Sequence, residues 1–228
     1  MINNKKIPIY FMPGLAASSS IFENIFFDQD TYDFYYLEWK EPVKDESLKD
    51  YVIRLLDDVK HENPILIGVS FGGIVIQEMA KYIDTRQLIV ISSVVHEDEF
   101  PTRMKWAKKL KLYYLFPTFL FSNFEYLKYF MLGKALKKRL EMYKKFLYNN
   151  DKKYLDWAIK TILNWKAQNM PTHANLVRIH GEKDEVFPLK NININQCYVV
   201  PKATHAMIVY KYKWFNYNLP IIIKQTNL

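Results

Sequence analysis

The segment Gly68-Val69-Ser70-Phe71-Gly72-Gly73 constrains this chain more than any other. It overlaps the end of Ile65-Leu66-Ile67-Gly68-Val69, a continuous apolar run of the kind that forms a central parallel strand covered on both faces. After it, Ile74, Val75, Gln77, Met79, Ala80 and Tyr82 continue without a breaker, which predicts a helix starting at the glycine pair. A strand that passes straight into a helix through G-x-S-x-G must turn sharply. The turn holds its serine in a strained backbone conformation with the hydroxyl exposed, and small residues two positions to either side prevent clashes. The chain has only six glycines in 228 residues, under half the usual frequency of ~7%, so their placement carries weight. Five of them (Gly14, Gly68, Gly72, Gly73 and Gly181) fall in this segment and two others, Phe11-Met12-Pro13-Gly14-Leu15 and His180-Gly181-Glu182-Lys183-Asp184. Ala203-Thr204-His205 follows the last of these.

The rest of the chain alternates strand and helix patterns. Ile7 to Met12 reads as a buried strand ending in Pro-Gly, and Tyr32 to Trp39 as a second. From Asp45 to Lys60, Leu48, Tyr51, Val52, Leu55, Leu56 and Val59 recur along one helical face. Gln87 to Ser92, Leu176 to His180 and Gln196 to Val200 supply three more short strands. Beyond Met207 the chain reads as helix or irregular, with Pro220 arguing against an uninterrupted helix. Together these elements predict an α/β fold, with a mainly parallel sheet flanked by helices on both faces. Between Val94 and Pro171 no strand pattern appears. There Leu136, Leu140, Tyr143 and Leu147 share one helical face, and Leu155, Ala158, Ile159, Ile162 and Leu163 another. The length suits one domain with an insertion, divided as a core of residues 1–93 and 172–228 and a helical lid of residues 94–171.

Composition excludes several classes. The net charge of +8 comes almost entirely from lysine, with arginine only at positions 54, 86, 103, 139 and 178, and no base-stacking or groove-reading motif accompanies it. Nucleic acid is therefore not an expected partner. One cysteine, Cys197, allows no disulfide or thiolate metal site within the chain, and it reads as a small buried hydrophobe in a strand. Lys5, Lys6 and the apolar run after them resemble a signal segment, but Pro8, Pro13 and Gly14 interrupt that run. The apolar stretch Leu112 to Leu132 contains Pro117, Asn123, Glu125 and Lys128, so integral membrane insertion is not expected and a cytoplasmic location is. No H-E-x-x-H, phosphate-loop or dinucleotide fingerprint is present, so neither metal nor organic cofactor is implied.

A serine hydroxyl needs a general base, and the base needs an acid to orient its ring. Of the five histidines (His61, His96, His173, His180 and His205), only His205 follows the last predicted strand. His61 reads as a helix end, His173 as the lid exit, His180 as a strand terminus, and His96 as a residue at a pocket mouth. Asp184, in the loop after the Leu176 to His180 strand, is the candidate acid. Glu182 and Glu185 compete with it, as do Glu97 or Asp98 if the acid comes from the preceding strand. An oxyanion requires two donors. The backbone N–H of Phe71 supplies one by position, and that of Leu15 the other if Pro13-Gly14 is more than an ordinary turn.

With these residues in view the chain resembles the α/β-hydrolase family from Ile7 to about Met207. Pro13-Gly14-Leu15-Ala16-Ala17-Ser18-Ser19 is similar to the family's oxyanion loop, with Pro13 where histidine is usual, and Gly68 to Gly73 is similar to the elbow of its serine esterases. Serine at position 70, in place of aspartate, argues against the dehalogenase and epoxide hydrolase branches. The resemblance implies the triad Ser70, Asp184 and His205, with the oxyanion hole at Leu15 and Phe71. It also implies a hydrolase for esters or thioesters of small to medium apolar acyl groups. Two readings stand beside it: a C–C bond hydrolase or lyase on the same triad, and a non-catalytic ligand-binding protein of the same fold. Trp106, Tyr113, Phe116, Phe119, Phe121 and Phe130 in the lid either pack structurally or form an acyl pocket. Lysines such as Lys105, Lys137 and Lys144 form its solvated face or meet an anionic carrier such as coenzyme A.

Overall fold

The computed structural model describes residues 6–111, 146, 151–167, 175–195 and 197–225. Six parallel strands, β1 (Ile7–Met12), β2 (Tyr32–Tyr36), β3 (Ile65–Val69), β4 (Gln87–Ile91), β5 (Leu176–Gly181) and β6 (Cys197–Val200), form one sheet in the order β2-β1-β3-β4-β5-β6. The side-chain period of two divides each central strand between two cores. Tyr10, Met12, Leu66, Leu88 and Val90 face one, and Ile9, Phe11, Ile65, Ile67, Ile89 and Ile91 the other. The apolar runs expected of doubly covered strands are thus explained by helices on both sides of the sheet.

On the first face lie α1 (Leu48–Leu56), α2 (Phe71–Met79) and α4 (Lys152–Asn164), with α3 (Thr102–Lys109) against α4. Ser47 caps α1 by accepting from the Asp50 N–H, so the helix starts three residues after the expected Asp45 boundary. Every residue of α2 is buried, and its two interior polar side chains are matched. Gln77 donates to the Gly73 and Val94 carbonyls, and Glu78 accepts from the Trp165 indole. In α4 the buried face is Tyr154, Leu155, Ala158, Ile162 and Leu163, with Ile159 only partly covered. The second face is closed by α5 (Met207–Tyr210) and α6 (Tyr212–Gln225). Pro220 sits within α6, which nevertheless continues past it because Phe215, Leu219, Ile222 and Ile223 anchor the helix to the core.

Two strand expectations need revision. The second strand stops at Tyr36, short of Trp39, because β1 ends opposite it and the Leu37 N–H makes the last bond to the Phe11 carbonyl. Trp39 then leaves the sheet and turns inward. Cys197 is half-buried, because β6 is an edge strand. The expected face of Leu136, Leu140, Tyr143 and Leu147 and the aromatics Tyr113 to Phe130 lie outside the described residues, as does His173.

Register aligns the strand ends that matter. Met12 pairs with Gly68, Val69 with Ile91, Ile91 with Ile179, and Gly181 with Val200. The loops after β1, β3, β4 and β5 therefore emerge side by side at the carboxyl edge of the sheet. The chain leaves β1 toward β2 on one side and continues from β3 on the other, which makes this edge the topological switch point where open α/β sheets place ligands.

Candidate active site

Ser70 occupies the one-residue bend between β3 and α2 with φ 53° and ψ −118°, a conformation that side chains rarely adopt. Surrounding hydrogen bonds hold it there. Its N–H donates to the Ile91 carbonyl (2.9 Å), and its carbonyl accepts from the Gly73 N–H (2.9 Å) and the Ser93 hydroxyl (2.6 Å). Packing makes two glycines obligatory: a Cβ on Gly68 would lie 2.4 Å from the Gly72 carbonyl oxygen, and one on Gly72 2.4 Å from those of Met12 and Pro13. The loop after β1 thus runs directly over the first turn of α2.

His205, in the connection between β6 and α5, brings Nε2 to 2.9 Å from Ser70 Oγ and Nδ1 to 2.9 Å from Asp184 Oδ2. The carboxylate only accepts, so Nδ1–H donates to it, and in the neutral ring Nε2 then turns its lone pair to the hydroxyl. Asp184, 4% exposed, also accepts the Val186 and Phe187 N–H groups on Oδ1 (2.8 and 2.9 Å). These bonds fix the carboxylate's direction independently of the histidine. The competing acids are engaged elsewhere. Glu182 accepts from the Lys202 N–H, Glu97 from the Ala167 N–H, and Asp98 and Glu185 are exposed at the surface.

The other histidines also find places. His61 lies beyond the end of α1, with Nδ1 2.6 Å from the Tyr10 hydroxyl. His96 is half-exposed and accepts the Asp98 N–H. His180 is fully buried behind Asp184, where Nε2 donates to the Phe187 carbonyl at 2.8 Å and lies 3.3 Å from Asp184 Oδ2. Burial is the main influence on its ring and pulls its pKa below the usual histidine value, against the opposing pull of the Phe187 carbonyl and the Asp184 charge.

The loop after β1 is built by contacts that sequence gives no sign of. Gly14 packs on the elbow, its Cβ position 3.5 Å from Ser70 Cβ. Its carbonyl accepts from the Ala17 N–H (3.1 Å) and from the Trp39 indole (2.8 Å), and the Ala16 N–H reaches the hydroxyl of buried Tyr154 (3.3 Å). Phe71 is the first residue of α2, so its N–H has no partner within the helix, and Ser70 provides no side-chain cap. Phe187 stands edge-on to the His205 ring, 5.6 Å between centroids. A cleft of about 1300 Å³ opens nearby between α4 and the β2–α1 connection, lined by Glu41, Glu46, Trp157 and Trp165 among others. Ser70, Asp184 and His205 do not line it. Among the described residues no group of three His, Cys, Asp or Glu side chains could hold a metal ion, and no helix is long and apolar enough to cross a membrane.

Comparison with known proteins places the fold. The family model described as "Alpha/beta hydrolase family" matches residues 9–214. Similar solved structures include a carboxylesterase of the thaumarchaeon Nitrososphaera gargenis (13% identity, TM-score 0.70), with 98% of this chain and 92% of that one covered. A thermophilic esterase of Thermogutta terrifontis (12%, TM-score 0.65) matches over 99% and 92%, and MenH of S. aureus (17%, TM-score 0.66) over 99% and 97%. At these identities the likeness is one of fold. No curated protein matches the chain by sequence.

Proposed function

The chain belongs to the alpha/beta hydrolase family, and from that premise we propose that it is a serine hydrolase acting on carboxylic esters or thioesters of small to medium, largely apolar acyl groups. The observation that carries the reading is the single imidazole bridging Ser70 Oγ and Asp184 Oδ2, with 2.9 Å on each side.

In this reading His205 Nε2 takes the Ser70 proton as Oγ attacks the acyl carbon, and Asp184 stabilises the imidazolium that results. The oxyanion is received by the N–H groups of Leu15 and Phe71, each donor contributing about 10²- to 10³-fold in rate. His205 then returns its proton to the departing alkoxide or thiolate, leaving Ser70 acylated, and a water activated by the same imidazole releases the acid. The apolar preference is supported by Phe187 beside the His205 ring and by partly buried Leu15 in the donor loop.

Incubation with a fluorophosphonate probe, with mass spectrometry to find the modified residue, tests the nucleophile. Stoichiometric labelling at Ser70 that disappears in Ser70→Ala is expected, followed by turnover within a panel of p-nitrophenyl esters and acyl thioesters. Folded protein that neither labels nor turns over any member of the panel would refute the proposal in favour of a binding protein.

A further inference from the structure

Trp39 touches both halves of the proposed oxyanion hole. Its Nε1–H donates to the Gly14 carbonyl at 2.8 Å, and that carbonyl shares one peptide unit with the Leu15 N–H. Its ring lies flat on Phe71, 4.9 Å between centroids and 9° between planes. Trp39 is 5% exposed and sits three residues beyond the end of β2, where the chain has left the sheet.

The geometry has a chemical consequence. A trans peptide is planar, with its C=O and N–H pointing in opposite directions, so fixing one fixes the other. Gly14 lacks a side chain to resist rotation of this unit, and the adjoining Ala16 is held at φ 60°. The Ala17 N–H holds this carbonyl only from within the same loop (3.1 Å), so without an anchor from outside it the unit is free to rock with the loop, and the Leu15 N–H swings with it. The Trp39 bond supplies that anchor at a buried site where hydrogen bonds are strong, and it polarises the peptide so that its N–H becomes a better donor. Stacking on Phe71 registers the same ring against the start of α2, which carries the second donor.

Taking Leu15 and Phe71 as the oxyanion donors, as proposed above, we infer that Trp39 is a positioning residue for the oxyanion hole, orienting the Leu15 N–H through the Gly14 carbonyl and tying it to the Phe71 end of the site. Tyr154 supports the same loop from α4, through the Ala16 N–H.

Trp39→Ala would leave a large cavity and destabilise the fold, so the decisive variant replaces Trp39 with β-(3-benzothienyl)alanine, which keeps the fused ring and deletes only the N–H. The wild-type protein and this variant are compared by active-site titration with a fluorophosphonate, by kcat and KM on the best ester of the panel, and by thermal midpoint. A fall of about 10-fold in kcat per titrated Ser70 is expected, a fraction of the ~10²- to 10³-fold lost with a whole donor. KM should change less than about twofold, because ground-state binding does not use the hole. Affinity for a trifluoromethyl ketone, whose adduct carries the oxyanion, should fall in parallel. An unchanged kcat per titrated site, whether or not the midpoint drops, would overturn the inference and leave Trp39 a packing residue. Absence of labelling in the wild-type protein would instead refute the hydrolase reading, so the two failures are distinguishable.

Discussion

Substitution of Gly72 by alanine is the sharpest test of how the elbow and the proposed donor loop are fitted together. The new Cβ would stand 2.4 Å from the carbonyl oxygens of both Met12 and Pro13, where ordinary contact begins near 3.4 Å. Both obstacles are backbone atoms, and no side chain can rotate away to relieve them. The end of β1 and its loop must retreat from α2 by about 1 Å, although Met12 is held in register with Gly68. Alanine is the better helix former by ~1 kcal/mol, and this gain offsets part of a clash that typically costs 1–3 kcal/mol or more. Taken from the upper end of that range, because two backbone oxygens are struck, a net loss of about 2 kcal/mol lowers the melting midpoint by about 4–8 °C for a chain of this size. The catalytic effect is larger, since a displacement of ~1 Å at the reacting centre costs about 10²-fold. Circular-dichroism melts and fluorophosphonate labelling rates report the two effects separately. Gly14→Ala is the control: its Cβ meets nothing closer than 3.5 Å, so its midpoint should stay within about 2 °C of wild type. A Gly72→Ala protein that melts at or above the wild-type midpoint and labels at the wild-type rate would refute the packing argument.

Asp184→Asn should lower kcat by about 10⁴-fold while labelling stays confined to Ser70, as followed by ester hydrolysis with active-site titration. Burial lowers the pKa of His180 from 6.5, so below pH 6.5 the unfolded chain binds a proton that the folded one refuses. Stability is therefore lost as pH falls below 6.5 toward the lowered folded-state pKa, and denaturant titrations should show a shallower loss in His180→Gln. Arg178 and Glu99 form a bidentate pair (2.7 and 2.8 Å) with 4% and 5% exposure. Arg178→Met leaves a buried carboxylate unpaired and should destabilise by about 3–5 kcal/mol in urea unfolding, with Glu99→Gln in the same chain recovering part of the loss.

Much of the framework was legible in the chain because local chemistry dictates it. β1 and β3 fall on the expected residues, since doubly covered parallel strands require unbroken apolar runs. The strain at Ser70 was legible too, because only a strand-to-helix turn flanked by glycines suits that context. The candidate acid was less well determined. Glu182, Asp184 and Glu185 share one loop, and only the fold of that loop, which turns the Val186 and Phe187 N–H groups onto Asp184 and leads Glu182 away to Lys202, separates them.

What the sequence by itself determined is the class of fold and the order of the chemical residues along it, because hydrophobic period, glycine placement and turn chemistry act over a few neighbouring residues. Only the tertiary structure decided how that chemistry is held in place. Nothing local to Trp39 announces that its indole will meet Gly14, 25 residues earlier, and nothing near Tyr154 points to Ala16, 138 residues away. His180 beside Asp184 and Ser93 on the Ser70 carbonyl depend equally on the register of β3, β4 and β5. Such contacts arise when separately specified strands are brought level at one edge of a sheet, and a one-dimensional pattern carries no record of which side chains that alignment brings face to face.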